Sequence, residues 1–145
     1  GTVDVAGAVG LATALELAEQ ERAAAAARAA EDTARFIAEV TRRVPDATLT
    51  GHPAHRLPAT ASFTIAGVSG EAVLLELERR GVISSSGSAC AAGSDEPSPV
   101  LLACGISPEV AQTAVRFTFG RTALPADAPE RLAALVAEAV AAVRG

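Results

Sequence analysis

Half of the 145 residues are hydrophobic but only 3% are aromatic, so a domain of this length must build its core mainly from Ala, Val and Leu. A net charge of −5 with no basic stripe excludes a nucleic-acid surface, and charged residues interrupt every apolar stretch before it reaches membrane-spanning length. All 12 basic residues are Arg; without a Lys, no side chain of this chain can form a Schiff base with a carbonyl cofactor.

The chain opens on Gly1, has no Met and shows no secretory signal pattern, so a piece of a longer cytoplasmic protein is expected. From Asp4 to Val44 it is Ala-rich and free of Pro, which predicts one bent helix or two. Leu11, Leu15 and Ala18 form one stripe; Phe36, Ile37, Val40 and Val44 form another. Residues 45–58 read as a loop around a short strand at Ala47–Thr50, with His52 and His55 decorating a turn. Thr60–Ile65 alternates as a strand, with Ala61, Phe63 and Ile65 on one face. Ser69 caps a helix carrying Val73, Leu74 and Leu77, which Gly81 ends; Glu71, Glu76 and Glu78 are its solvated face. A short strand is expected over Val82–Ser84.

Residues 84–99, SSSGSACAAGSDEPSP, are small and polar, with almost nothing to anchor them. Pro99 and Pro108 each open a short helix, the first closing on Cys104, where a buried structural thiol is expected. Val115, Phe117 and Phe119 alternate with Arg116 and Thr118 along a strand. Asp127 and Glu130 make a capping-box pattern before a helix striped by Leu132, Leu135, Val136, Ala139, Val140 and Val143. With no repeat and no internal linker, the pattern predicts a single α+β domain over residues 1–145: a small antiparallel or mixed sheet packed with helices.

Two residues stand out chemically. Cys90 has no apolar stripe around it, so a reactive thiol and an incidental one weigh equally. Arg116 reads either as a solvated edge residue or as a planar fork for a carboxylate. A Cys90–Cys104 disulfide lacks any sign of an oxidising compartment, and the histidines and cysteines are not at zinc-ligand spacing; no metal site is expected.

Four segments in order, GTVDVAGAVGLATAL (1–15), RLPATASFTIAGVSGE (56–71), SSGSACAAGSDEPSPVLLA (85–103) and VRFTFGR (115–121), resemble the cysteine desulfurases. These belong to the class-V aminotransferases of the type-I pyridoxal-phosphate fold, and the resemblance is to their C-terminal small domain. Ala59 and Pro99 depart from the family pattern, which tends to carry Asn and Tyr or His there. The resemblance implies that Cys90 attacks the sulfur of pyridoxal-phosphate-bound L-cysteine, becomes a persulfide and releases alanine. It implies that Arg116 clamps the substrate carboxylate and that Thr2 touches the cofactor phosphate of the neighbouring subunit in a homodimer. The persulfide then passes to an iron–sulfur scaffold or another sulfur acceptor. With the cofactor-binding large domain and its lysine absent, the isolated chain is expected to be inactive. The rivals are an aminotransferase-like relative, a persulfide carrier working without pyridoxal phosphate, and an interaction domain in which Cys90 is idle.

Overall fold

The computed structural model describes residues 1–86 and 96–145. The N-terminal segment is one unbroken helix, α1 (Val5–Arg43), about 58 Å long at 1.5 Å per residue. Asp4 caps it by accepting a hydrogen bond from the Gly7 N–H at 2.8 Å. Its two halves differ. From Ala29 onward one stripe, including Phe36 and Val40, is buried, whereas residues 1–24 are all exposed.

Three strands follow the helix: β1 (Ala47–Leu49), β2 (Thr60–Ile65) and, after three helices, β3 (Ala114–Thr118). They form one antiparallel sheet in the order β1–β2–β3. Between β2 and β3 lie α2 (Gly70–Arg79), α3 (Pro99–Ala103) and α4 (Pro108–Ala111); α5 (Ala128–Arg144) closes the chain. α5 packs against α1 and α2, and its Val136 and Val140 join Phe36, Phe63, Phe117 and Leu77 in one core. This is the expected α+β architecture, with an antiparallel sheet.

Local chemistry explains the boundaries. Ser69 accepts from the Ala72 N–H at 3.3 Å and starts α2, while Gly81, at φ +77°, takes the left-handed turn that ends it. Gly70 is required for another reason: a Cβ there would lie 2.7 Å from the Gln112 carbonyl oxygen, so only glycine lets α2 begin this close to the turn before β3.

Three sequence expectations are corrected. Val82–Ser84 is not a strand; only Ser85 pairs with the sheet, through a single bridge to Arg116. The Asp127–Glu130 capping box does not form. Asp127 makes no side-chain cap; it lies 3.8 Å from Arg131, and Glu130 faces Arg35 of α1 at 3.4 Å, because ion pairing competes for both carboxylates. Cys104 is exposed rather than buried, because α3 is a five-residue helix with no buried residue of its own.

Candidate functional site

The sheet has two unlike faces, as strand alternation requires. Ala61 opposite Phe117 and Phe63 opposite Val115 are buried beneath the helices. The alternate set shares the other face: Thr48 opposite Thr64, Ser62 opposite Arg116, and Thr60 opposite Thr118. Apart from Ala114, opposite Thr64, this face carries polar side chains.

Arg116 stands at the middle of β3 on the polar face, half-buried. Its backbone is held from both sides. β2 pairs with it through Ser62, and on the opposite edge Ser85 donates to the Arg116 carbonyl at 3.0 Å while the Arg116 N–H donates to the Ser85 carbonyl at 2.6 Å. Four arginines are half-buried, and three of these are engaged. Arg35 binds Asp32 and the Ala126 carbonyl, Arg56 binds the Thr60 carbonyl, and Arg80 pairs with Glu76. The Arg116 guanidinium has no acceptor among the described residues. A rigidly anchored, partly desolvated guanidinium with an open fork suits a carboxylate, which it can bind through two parallel hydrogen bonds.

The other candidates are placed less closely. Cys90 lies outside the described residues; Ser85, five positions before it, is bonded to Arg116. Thr2 is exposed at the far end of α1, separated from the body by about 20 helical residues or roughly 30 Å. The chain therefore does not bring Thr2 and Arg116 together. Arg121, the other arginine of VRFTFGR, is exposed and faces Glu21 at 3.4 Å. His52 does hold a turn: its Nδ1 accepts from the Ala54 and His55 N–H groups at 3.0 and 2.9 Å. Glu76 is drawn into ion pairs with Arg79 and Arg80, which hold its carboxyl below the usual range. No cluster of three metal-ligating side chains occurs among the described residues, and no helix there is long and apolar enough to cross a membrane. Sequence reasoning missed the Ser85–Arg116 bridge, which leaves no signal in composition or periodicity.

Over residues 1–128 the chain matches the family model Aminotransferase class-V. The chain belongs to this family. It is similar to cysteine desulfurase IscS of Dictyoglomus turgidum, at 43% identity over 120 residues, a match covering 83% of this chain and 30% of that protein. It is also similar to an IscS-like cysteine desulfurase of Mycobacterium tuberculosis, at 38% identity over 138 residues, covering 93% and 35% respectively. The structure of a NifS-like protein superposes with a TM-score of 0.80, covering 97% of this chain and 35% of that one; at 22% identity this likeness is one of fold. The chain thus spans about a third of the length of the relatives it matches.

Proposed function

We propose that this chain is the C-terminal, small-domain part of a pyridoxal-phosphate-dependent cysteine desulfurase, supplying its sulfur-accepting thiol and its substrate clamp. The observation that carries this reading is the open Arg116 fork, bonded through the backbone to the residue from which the Cys90 segment departs.

In this reading Arg116 receives the carboxylate of L-cysteine and fixes its orientation. The Cys90 thiolate attacks the substrate sulfur, forming a new S–S bond as the carbon–sulfur bond breaks. The carbon then takes a proton and leaves as alanine. The residues present do not complete a pyridoxal-phosphate site, since no lysine is available to anchor the cofactor covalently. Pyridoxal phosphate supplies the electron sink for the carbon–sulfur cleavage when bound. Thr2, remote from Arg116 in its own chain, fits a contact with the cofactor phosphate of the partner in a homodimer. The persulfide on Cys90 is handed to a sulfur acceptor or an iron–sulfur scaffold, in the cytoplasm.

The test is to assay alanine and persulfide from L-cysteine with the longer enzyme that contains this chain. Cys90→Ser is expected to abolish both products while leaving the cofactor absorbance intact. Undiminished alanine formation by that variant would overturn the assignment. The isolated chain is expected to produce neither.

A further inference from the structure

Across the sheet, Ser62 of β2, Arg116 of β3 and Ser85 stand in one row. Residues directly opposite one another in antiparallel strands carry their side chains on the same face, so both serines share the polar face with the guanidinium. They do not stand equally close to it. Arg116 and Ser85 exchange both backbone hydrogen bonds, at 3.0 and 2.6 Å, so the Arg116 N–H and carbonyl are turned away from β2. Ser62 turns its own backbone groups towards β1, its carbonyl accepting from the Thr50 N–H at 2.8 Å. Ser62 and Arg116 are therefore a non-hydrogen-bonded pair, with Cα atoms about 4.5 Å apart against about 5.5 Å for the bonded kind, and with the closer side chains.

Ser62 is half-buried, and its hydroxyl makes no hydrogen bond among the described residues. Thr50 engages the Ser62 carbonyl instead, through its Oγ1 at 3.1 Å as well as its N–H. The flanking positions of the same face are Thr60, Thr64, Ala114 and Thr118. None of these is acidic, so no strand neighbour on this face neutralises Arg116, and all are too short to cover its fork. A carboxylate held by an arginine fork keeps an unused lone pair on each oxygen, and a hydroxyl beside the fork can donate to one of them.

We propose that Ser62 is the second donor of this anion site, its hydroxyl donating to one oxygen of the substrate carboxylate while the Arg116 fork binds both. Ser62 has this role only if Arg116 is the carboxylate clamp proposed above. Two parallel hydrogen bonds leave a carboxylate free to hinge out of the guanidinium plane. A third donor on one side stops that hinge and fixes the direction in which the rest of the amino acid points. A hydroxyl adds a donor without adding charge, so the site stays singly positive and matches one monoanionic carboxylate rather than a dianion such as a phosphate group.

The test is a calorimetric titration of the longer, cofactor-loaded enzyme that contains this chain, with L-alanine, which carries the carboxylate, and with L-alaninamide, which lacks it. Ser62→Ala is expected to weaken L-alanine about tenfold, the worth of one hydrogen bond to a charged group, and to leave L-alaninamide within about twofold. Ser62→Thr keeps a hydroxyl and should restore most of the loss, whereas Ser62→Val has nearly the same shape without one and should not. Both β-branched residues suit a strand, so this pair gives the answer even where Ser62→Ala loosens β2. Equal weakening of both ligands by Ser62→Ala, no weakening of either, or equal L-alanine affinities in the Thr and Val variants would overturn the proposal. Arg116→Ala separates the two ways of failing. If it abolishes the preference for L-alanine while the Ser62 variants keep it, only the role of Ser62 falls; if the preference survives without Arg116, the clamp falls and Ser62 with it.

Discussion

Phe36 is the residue through which the long helix fixes the strand that carries Arg116, and truncating it tests that construction. Its ring is fully buried, with edge-on partners at 4.9 Å (Phe117), 5.5 Å (Phe119) and 6.0 Å (Phe63). These four are all the phenylalanines in the chain, which has no Trp or Tyr, so its aromatic packing is concentrated at one point. A buried Phe→Ala change costs about 3–5 kcal/mol through lost transfer energy and the cavity left behind. Edge-to-face pairs each add about 0.5–1.5 kcal/mol beyond area, which places Phe36→Ala towards the upper end, near 4–5 kcal/mol. Against a total of about 5–15 kcal/mol for an ordinary domain, that is a large share.

Urea unfolding followed by far-ultraviolet circular dichroism measures the loss directly, since no tryptophan reports it. The matched control is Leu75→Ala on α2, where the side chain is 52% exposed and the expected change stays within about 0.5 kcal/mol. Phe117 follows Arg116 directly along the chain and Phe119 lies two residues further on, so the same substitution should also loosen the strand that presents the fork. If Phe36→Ala costs no more than Leu75→Ala, the packing described above does not hold β3 in place.

Four further outcomes are expected. In the enzyme containing this chain, Arg116→Lys should raise the KM for cysteine about tenfold to a hundredfold, the equivalent of about 1.5–3 kcal/mol for a charge-assisted hydrogen bond; an unchanged KM removes Arg116 from the site. Mixed with pyridoxal phosphate, the isolated chain should show no stoichiometric band that borohydride fixes to a side chain, because it has no lysine; peptide mapping would reveal one, with the N-terminal amine excluded first. The chain should self-associate through the exposed Leu11, Leu15 and Leu17, and a strictly monomeric profile in sedimentation at high concentration would refute this. Arg42 and Arg43 hold the Glu39 carboxyl at about 2, down from 4.5, so its stabilising contribution is present above pH 4.5 and fades as pH falls towards 2; the stability gap between wild type and Glu39→Gln should close over that window in urea titrations.

Elements whose pattern is written within one segment were legible in the sequence. β2 occupies Thr60–Ile65, with Ala61, Phe63 and Ile65 buried as their alternation requires, and the stripe of α5 buries Val136, Ala139 and Val140. Where a residue's state depends on a distant partner, the pattern failed. Val82–Ser84 has strand-like composition, but the edge of β3 is met only at Ser85, so no ladder forms. Asp127 and Glu130 have the spacing of a capping box, yet Glu130 faces Arg35, 95 positions earlier in the chain. Cys104 closes what reads as a packed helix, but a single turn of five residues has too little surface to bury its own end.

The same distinction decides how much of the site could be read. For Arg116, alternation favoured a solvated edge residue over a substrate fork without deciding between them, because both put the side chain on the polar face. What separates them is that every other half-buried arginine is engaged while this one is not, a property of the folded set that no local pattern encodes. The first half of α1 poses the same question on a larger scale. Between Val5 and Ala18 only Thr13 and Glu16 are polar, so the helix is apolar nearly all round, the pattern of a helix enclosed by protein. A single seam between two helices would cover one side and leave the other wet. Covering it on all sides takes a larger body, so self-association of the isolated chain should bury this segment only in part. In the longer enzyme the same leucines should be fully protected, and hydrogen exchange along Val5–Ala18 would separate the two cases.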